Sequence, residues 1–217
     1  MVITMKVELE NILPEQIEDA SFAIIESELP KDRELDVLQK PVIKRVIHTT
    51  ADFDYLDNLK FSQNAVEQAL KALKNGAGIV TDTNMAKAGV HKASLEKLGG
   101  AVYCYMADED VADQAKQRGC TRAAVCMDKA AQLGQPLIVA VGNAPTALIR
   151  IYELICEGKW KPELVIGVPV GFVNVVQSKE LIMQTGVEYI VAAGRKGGSN
   201  VAAAICNALI YMATGER

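Results

Sequence analysis

Two histidines occur in the 217 residues, His48 and His91, and imidazole is the side chain best suited to proton or hydrogen-bond chemistry near neutral pH. His48 lies at the predicted end of a helix in KRVIHTTAD, where the partial negative charge of the helix terminus suits a donor imidazole. The same position would also suit a structural histidine that only caps the helix end. His91 has no comparable setting and reads as a surface loop residue. The segment GRKGGSN, Gly194 to Asn200, combines three glycines with Arg195 and Lys196. It could offer an anion both backbone N–H groups and charge, or be a glycine-rich turn with two solvated cations. Phosphate-loop, dinucleotide and nucleophile-elbow fingerprints are absent, which disfavours nucleotide-dependent and triad-hydrolase chemistry. Five cysteines, Cys104, Cys120, Cys126, Cys156 and Cys206, form no Cys-x-x-Cys pair, which disfavours a structural zinc site and a disulfide framework. What chemistry remains turns on one acid or hydrogen-bond donor.

The elements that must position these residues follow from apolar patterning. From residue 76 onward a unit recurs: a short apolar run, a Gly, Asn, Asp or Thr break, then a helical stripe. The runs are Gly78–Thr81, Ala101–Met106, Pro136–Val141, Glu163–Val168 and Glu188–Ala193. Apolar runs without alternation predict strands covered on both faces, as in a parallel sheet. Right-handed crossovers then give a three-layer α/β/α fold whose mostly parallel, doubly wound, Rossmann-like sheet has about five strands. Such a sheet binds ligands beyond its strands' carboxyl ends, here the loops TDTNMAKAG, ADED, GNAPT, PVGF and GRKGGSN. Pro145 and Gly158 should open and close one helix, while Thr121 and Ser199 should cap two others.

The first 75 residues read as a mostly helical N-terminal segment packed on the sheet. One stripe runs from Pro14 through Ile17, Ser21, Ile24 and Ile25. A second holds Leu35, Leu38, Val42 and Val46, with Pro41 expected to kink or restart it. A third spans Gln63 to Lys74, capped by Ser62 and stopped at Gly76. No linker composition interrupts the chain, so residues 1–217 are expected to form a single domain. Half of the residues are hydrophobic, enough for a packed core, and the formal net charge is −4. That balance offers no general attraction to nucleic acid or anionic lipid. The longest nearly uncharged runs, Leu164–Val176 and Val201–Ala213, fall short of the ~18 to 20 apolar residues that span a bilayer. MVITMKVELENIL has the character of neither a secretory signal nor a transit peptide, so a cytoplasmic protein is expected.

Taken as a set, seven stretches resemble the precorrin-8X methylmutase family, and in particular its cobalt-precorrin-8 members. They are SFAIIESEL (Ser21–Leu29), RVIHTTAD (Arg45–Asp52), VTDTNMAKAGV (Val80–Val90), TRAAVCMDKA (Thr121–Ala130), VGNAPTAL (Val141–Leu148), GVPVGFVNVVQSKE (Gly167–Glu180) and GRKGGSNVAAAICNAL (Gly194–Leu209). The resemblance implies an isomerase of cobalamin biosynthesis that moves a methyl group from C-11 to C-12 of a corrinoid precursor, giving hydrogenobyrinate or cobyrinate. It implies no cofactor, any cobalt belonging to the substrate, and a homodimer. His48 matches the family's catalytic histidine, and Ser21 and Arg122 match positions that touch the macrocycle. Asp82, Thr83, Asn84 and Met85 belong to a matched loop. His91 occupies the place of a small polar contact and departs from the pattern. Because such a substrate carries acetate and propionate groups, Arg122, Arg195 and Lys196 are expected to meet its carboxylates. Lys179 could join them, or lie on a solvated helix face. A corrinoid carrier without turnover and a nucleotide- or sugar-phosphate-using α/β enzyme are the rival readings; TDTNMA resembles the cobalt-using branch more closely.

Overall fold

A computed structural model describes residues 12–216; the stretch read above for a leader falls almost wholly outside them. The chain divides into two compact units, with the boundary between Glu34 and Leu35. In the first, a 3-10 turn at Pro14–Gln16 leads into α1 (Ile17–Glu28), with Pro14 in its opening turn. Glu18 and Asp19 favour the positive end of α1. Leu29, forced towards extended backbone by the following Pro30, ends it.

The second unit opens with α2 (Gln39–Thr50). Pro41 neither kinks nor restarts it: the helix begins two residues earlier, so proline sits in the first turn, where an N–H has no helical partner to lose. Asp36 Oδ1 anchors that end, accepting from the Leu38 and Gln39 amides at 2.9 and 3.0 Å. After α2 come α3 (Tyr55–Asn58), β1 (Leu59–Phe61), α4 (Ala65–Lys74), β2 (Gly78–Thr81), α5 (Asn84–Gly89) and α6 (Lys92–Lys97). Then follow β3 (Val102–Tyr103), α7 (Glu109–Arg118), α8 (Arg122–Ala131), β4 (Leu137–Val141), α9 (Pro145–Cys156), β5 (Leu164–Gly167), α10 (Val175–Met183), β6 (Tyr189–Ala192) and α11 (Ser199–Thr214).

All five expected strands are present, and the sheet has a sixth. Its order is β1-β6-β5-β4-β2-β3, parallel throughout except that β1 runs antiparallel to β6, Leu59 opposite Ala192. The expectation of about five strands overlooked β1 because three residues, LKF, are too few to show a period. Ser62 also departs from its expected role. Its hydroxyl bonds the Glu188 carboxylate and accepts from Tyr189 N at 2.8 Å, so it ties β1's end to β6 while Asn64 takes the N-cap position of α4.

Alternate residues along a strand point to opposite faces. On β4, Val139 and Val141 join the cluster that includes residues of α7, α8, α9 and α10. Ile138 and Ala140 are equally buried and face the layer in which α4 and α11 pack on β4 and β5. Helix α2 packs on α11. Since β3 and β4 flank β2 on opposite sides, the connection from β2 runs outward to β3 and the next one crosses back over β2 to β4. The carboxyl ends of β2 and β4 therefore form the crevice in which open α/β sheets bind ligands.

Candidate active site

The crevice is built around Asp82, the first residue beyond β2. Its side chain is fully buried. Oδ1 accepts from Gly142 N at 2.8 Å, and Oδ2 from Asn143 N at 2.9 Å and Ala144 N at 2.6 Å. Asp82 thus fixes the β4–α9 loop across the crevice from within. Burial pushes its carboxyl above the ordinary value, against the pull of those backbone donors. Next to it, Thr83 Oγ1 caps α5 by accepting from Ala86 N at 3.0 Å and pairs with Ser199 Oγ at 2.8 Å. Ser199 is therefore not the cap of α11; Gly198 holds that position and the serine hydroxyl points to α5 instead. Gly142 permits this convergence, since a Cβ there would lie 2.7 Å from Ser199 Cα. Asn84 and Met85 are exposed, Met85 at 74%.

His48 is exposed in the last turn of α2. The helix ends at Ala51 in the left-handed conformation, φ 52° and ψ 30°, with Ala51 N donating to Ile47 O at 2.7 Å. The turn that follows reaches the loop after β6. There Lys196 Nζ donates to Asp52 Oδ2 and Asp54 Oδ2, each at 2.6 Å. These hydrogen bonds raise the Lys196 ammonium well above its ordinary value and lower the Asp52 carboxyl. Lys196 is thus a paired cation that couples its loop to the chain just beyond His48, rather than the solvated cation of a plain glycine turn.

Arg195 extends over the exposed ring of Phe172, its Cζ 5.4 Å from the centroid, a cation–π geometry. Lys179 lies neither on a solvated helix face nor among the cations open to a carboxylate: only 1% of it is exposed, and its Nζ donates to Gly194 O at 2.8 Å and Lys196 O at 2.9 Å. Burial pushes that amine down to about 8. On the far side of the crevice, exposed Arg122 opens α8. Thr121 Oγ1 caps the helix as expected, accepting from Ala124 N at 3.2 Å, and donates to Thr146 Oγ1 of α9 at 2.8 Å. Pro145 and Gly158 also occupy their expected places at the two ends of α9.

Two of the residues singled out by sequence stand apart. His91 caps α6, pairs with Ser94 Oγ at 2.8 Å, and packs its ring against Tyr211 at 5.7 Å. Its amide donates to Asn207 Oδ1 at 2.8 Å, eight residues along α11 from Ser199, or about 12 Å at the helical rise. Ser21 belongs to α1, in the first unit, where its hydroxyl donates to Ile17 O at 2.8 Å. Sequence reasoning named the PVGF loop among those at the strand ends but assigned none of its side chains to the site. Val170, Phe172 and Val173 are 49, 80 and 79% exposed, and their signal was an apolar cluster between a strand and a helix. Cavities of about 310 and 420 Å³ open at the opposite, amino-terminal edge, beside Glu163, Glu188 and Trp160. None of the residues argued above for chemistry lines them. The carboxyl edge is open and presents aromatic and aliphatic surface beside cations, which suits a broad ligand better than a small enclosed one.

A doubly wound α/β/α protein with loops gathered at a sheet switch point is the class that fold and site define. The precorrin-8X methylmutase family model matches residues 16–212. The cobalt-precorrin-8 methylmutase of Salmonella typhimurium is 45% identical over 205 residues, covering 91% of this chain and 95% of that protein. That of Priestia megaterium is 42% identical over 202 residues, covering 93% and 89%. The crystal structure of precorrin-8X methylmutase from Thermus thermophilus superimposes with a TM-score of 0.84 at 40% identity, over 92% of this chain and 98% of that one. The chain belongs to the precorrin-8X methylmutase family.

Proposed function

We propose that this chain is a cobalt-precorrin-8 or precorrin-8X methylmutase of cobalamin biosynthesis, moving a methyl group from C-11 to C-12 of the macrocycle. His48 acts as the donor to a ring nitrogen. Methyl migration around a conjugated ring redistributes electron density, and a fixed donor at the nitrogen stabilises the rearranging π-system without a covalent intermediate. The observation that carries this reading is the exposed His48 imidazole in the last turn of α2, held by way of Asp52 and Lys196 to the sheet's carboxyl edge. On the loops and helix starts of that edge, Phe172, Val173 and Met85 offer exposed apolar surface to a flat ring, and Arg122 and Arg195 offer guanidinium groups to its carboxylates. Asp82 acts inside the protein by setting the β4–α9 loop, while Thr83 and Asn84 shape the adjoining loop. Ser21 is assigned to the substrate on its motif alone, and His91 is an outer element of the site. The protein works as a homodimer in the cytoplasm.

Conversion of cobalt-bearing and metal-free substrate side by side, followed by the chromophore of the cobyrinate-type product, tests the reading. The wild type should turn over at least one of them. His48→Ala should lower turnover by ~10² to 10³, the usual loss when one preorganised donor is removed. Tight binding without conversion would make the chain a carrier, and an unchanged rate in His48→Ala would remove the histidine from the mechanism.

A further inference from the structure

Lys179 is a buried amine that the proposed chemistry does not use, and its surroundings are unusual for a structural residue. A buried cation is costly unless something repays its desolvation. Among the described residues its hydrogen-bond partners are two carbonyls, with no carboxylate. A methionine would fill nearly the same volume with no charge to desolvate. What an aliphatic side chain cannot supply is a pair of donors to the carbonyls of Gly194 and Lys196, which flank Arg195.

The same loop is held at neighbouring atoms. Arg195 O accepts from Gly171 N at 3.2 Å, and Gly198 N donates to Val168 O at 2.9 Å. A Cβ on Gly197 would sit 2.1 Å from Val168 O, so the loop lies directly against the chain leaving β5. Three consecutive carbonyls, 194 to 196, are thereby engaged from the α10 side, two of them by one amine. The Arg195 side chain lies over Phe172, the neighbour of Gly171, and that of Lys196 reaches Asp52 and Asp54.

From this geometry we infer that Lys179 is a positioning residue for the reaction, holding the Gly194–Lys196 backbone so that Arg195 is presented over Phe172 to a carboxylate of the substrate. The inference rests on the corrinoid reading above, and the test separates the two. In wild-type protein, KM and kcat are measured for the corrinoid precursor, then in Lys179→Met, Lys179→Arg, Arg195→Ala and the Met/Ala double variant. Lys179→Met should raise KM about tenfold, the scale of one lost charged hydrogen bond, with kcat within about threefold. Lys179→Arg, which restores two donors, should recover most of the affinity. The double variant should be no worse than Arg195→Ala alone, because both changes remove the same contact. A folded Lys179→Met with wild-type KM, or losses that multiply in the double variant, would overturn the role. If Lys179→Met does not fold, Lys179→Leu, which likewise carries no donor, replaces it under the same criteria. If neither folds, the amine is a requirement of the fold and the inference fails. A wild type that converts no corrinoid precursor would instead remove the functional reading itself.

Discussion

At the scale of single residues, the site depends on two residues in conformations their neighbours dictate. Asp82 satisfies three backbone N–H groups with two carboxylate oxygens. Asp82→Asn would turn an NH2 towards at least one of them, and a buried donor left without an acceptor costs ~1–3 kcal/mol. Thermal unfolding should show the midpoint falling by several degrees, at ~2–4 °C per kcal/mol for a chain of this size; an unchanged midpoint would mean that the β4–α9 loop is held by something else. Ala51 presents the reverse case. A non-glycine residue at φ 52° is strained by about 1–2 kcal/mol, of which glycine would recover part after its larger chain entropy. Ala51→Gly should therefore stabilise the protein by about 0.5–1 kcal/mol in urea unfolding. Neither feature was open to sequence reading. TDTNMA marked Asp82 as a loop residue at a strand end, but which way a carboxylate turns depends on a loop 60 positions away.

Among elements, the α5–α11 contact and the tie from α2 to the loop after β6 define the site's walls. Gly142→Ala would set a methyl 2.7 Å from Ser199 Cα and 2.9 Å from Gly198 O. Both are backbone atoms, so the start of α11 would have to shift. Overpacking of this kind typically costs ~1–3 kcal/mol, and the urea midpoint of Gly142→Ala should drop accordingly. The Lys196–Asp52 tie predicts a pH dependence of definite sign. The Asp52 carboxyl is lower in the folded chain, so its stabilisation is complete above the ordinary carboxylate value, ~3.9, and is lost as pH falls through the depressed folded value. The stability difference between wild type and Asp52→Asn should stay constant from pH 5 to 8 and close below about 4; a difference that closes near pH 6 would point to another group. Helix ends governed by local chemistry, such as Thr121, Pro145 and Gly158, were legible in the sequence. Ser62 and Ser199 were not, because each hydroxyl found a partner more than a hundred residues away, Glu188 and Thr83 respectively.

Over the whole molecule, five uninterrupted apolar runs were enough to read a parallel sheet covered on both faces, since burial on two sides leaves no polar alternation. Strand order was not legible, and with it the place where β3 and β4 part on either side of β2. That order brings Asp82 beside Gly142 and turns a set of scattered loops into one crevice. The antiparallel β1 also escaped notice, being three residues whose pairing is set by β6 rather than by their own pattern.

Helix α11 contributes nine buried residues, from Val201 to Ile210, and packs on α2, α4 and α5 as well as on β4 and β5. It is translated after every other element described. Until it emerges from the ribosome, the apolar sides of α2 and α4 lack their cover and Thr83 lacks the hydroxyl of Ser199. Assembly of this crevice therefore waits on α11, and the nascent chain passes through a stage in which apolar surface lies uncovered, the stage at which a chaperone would matter most.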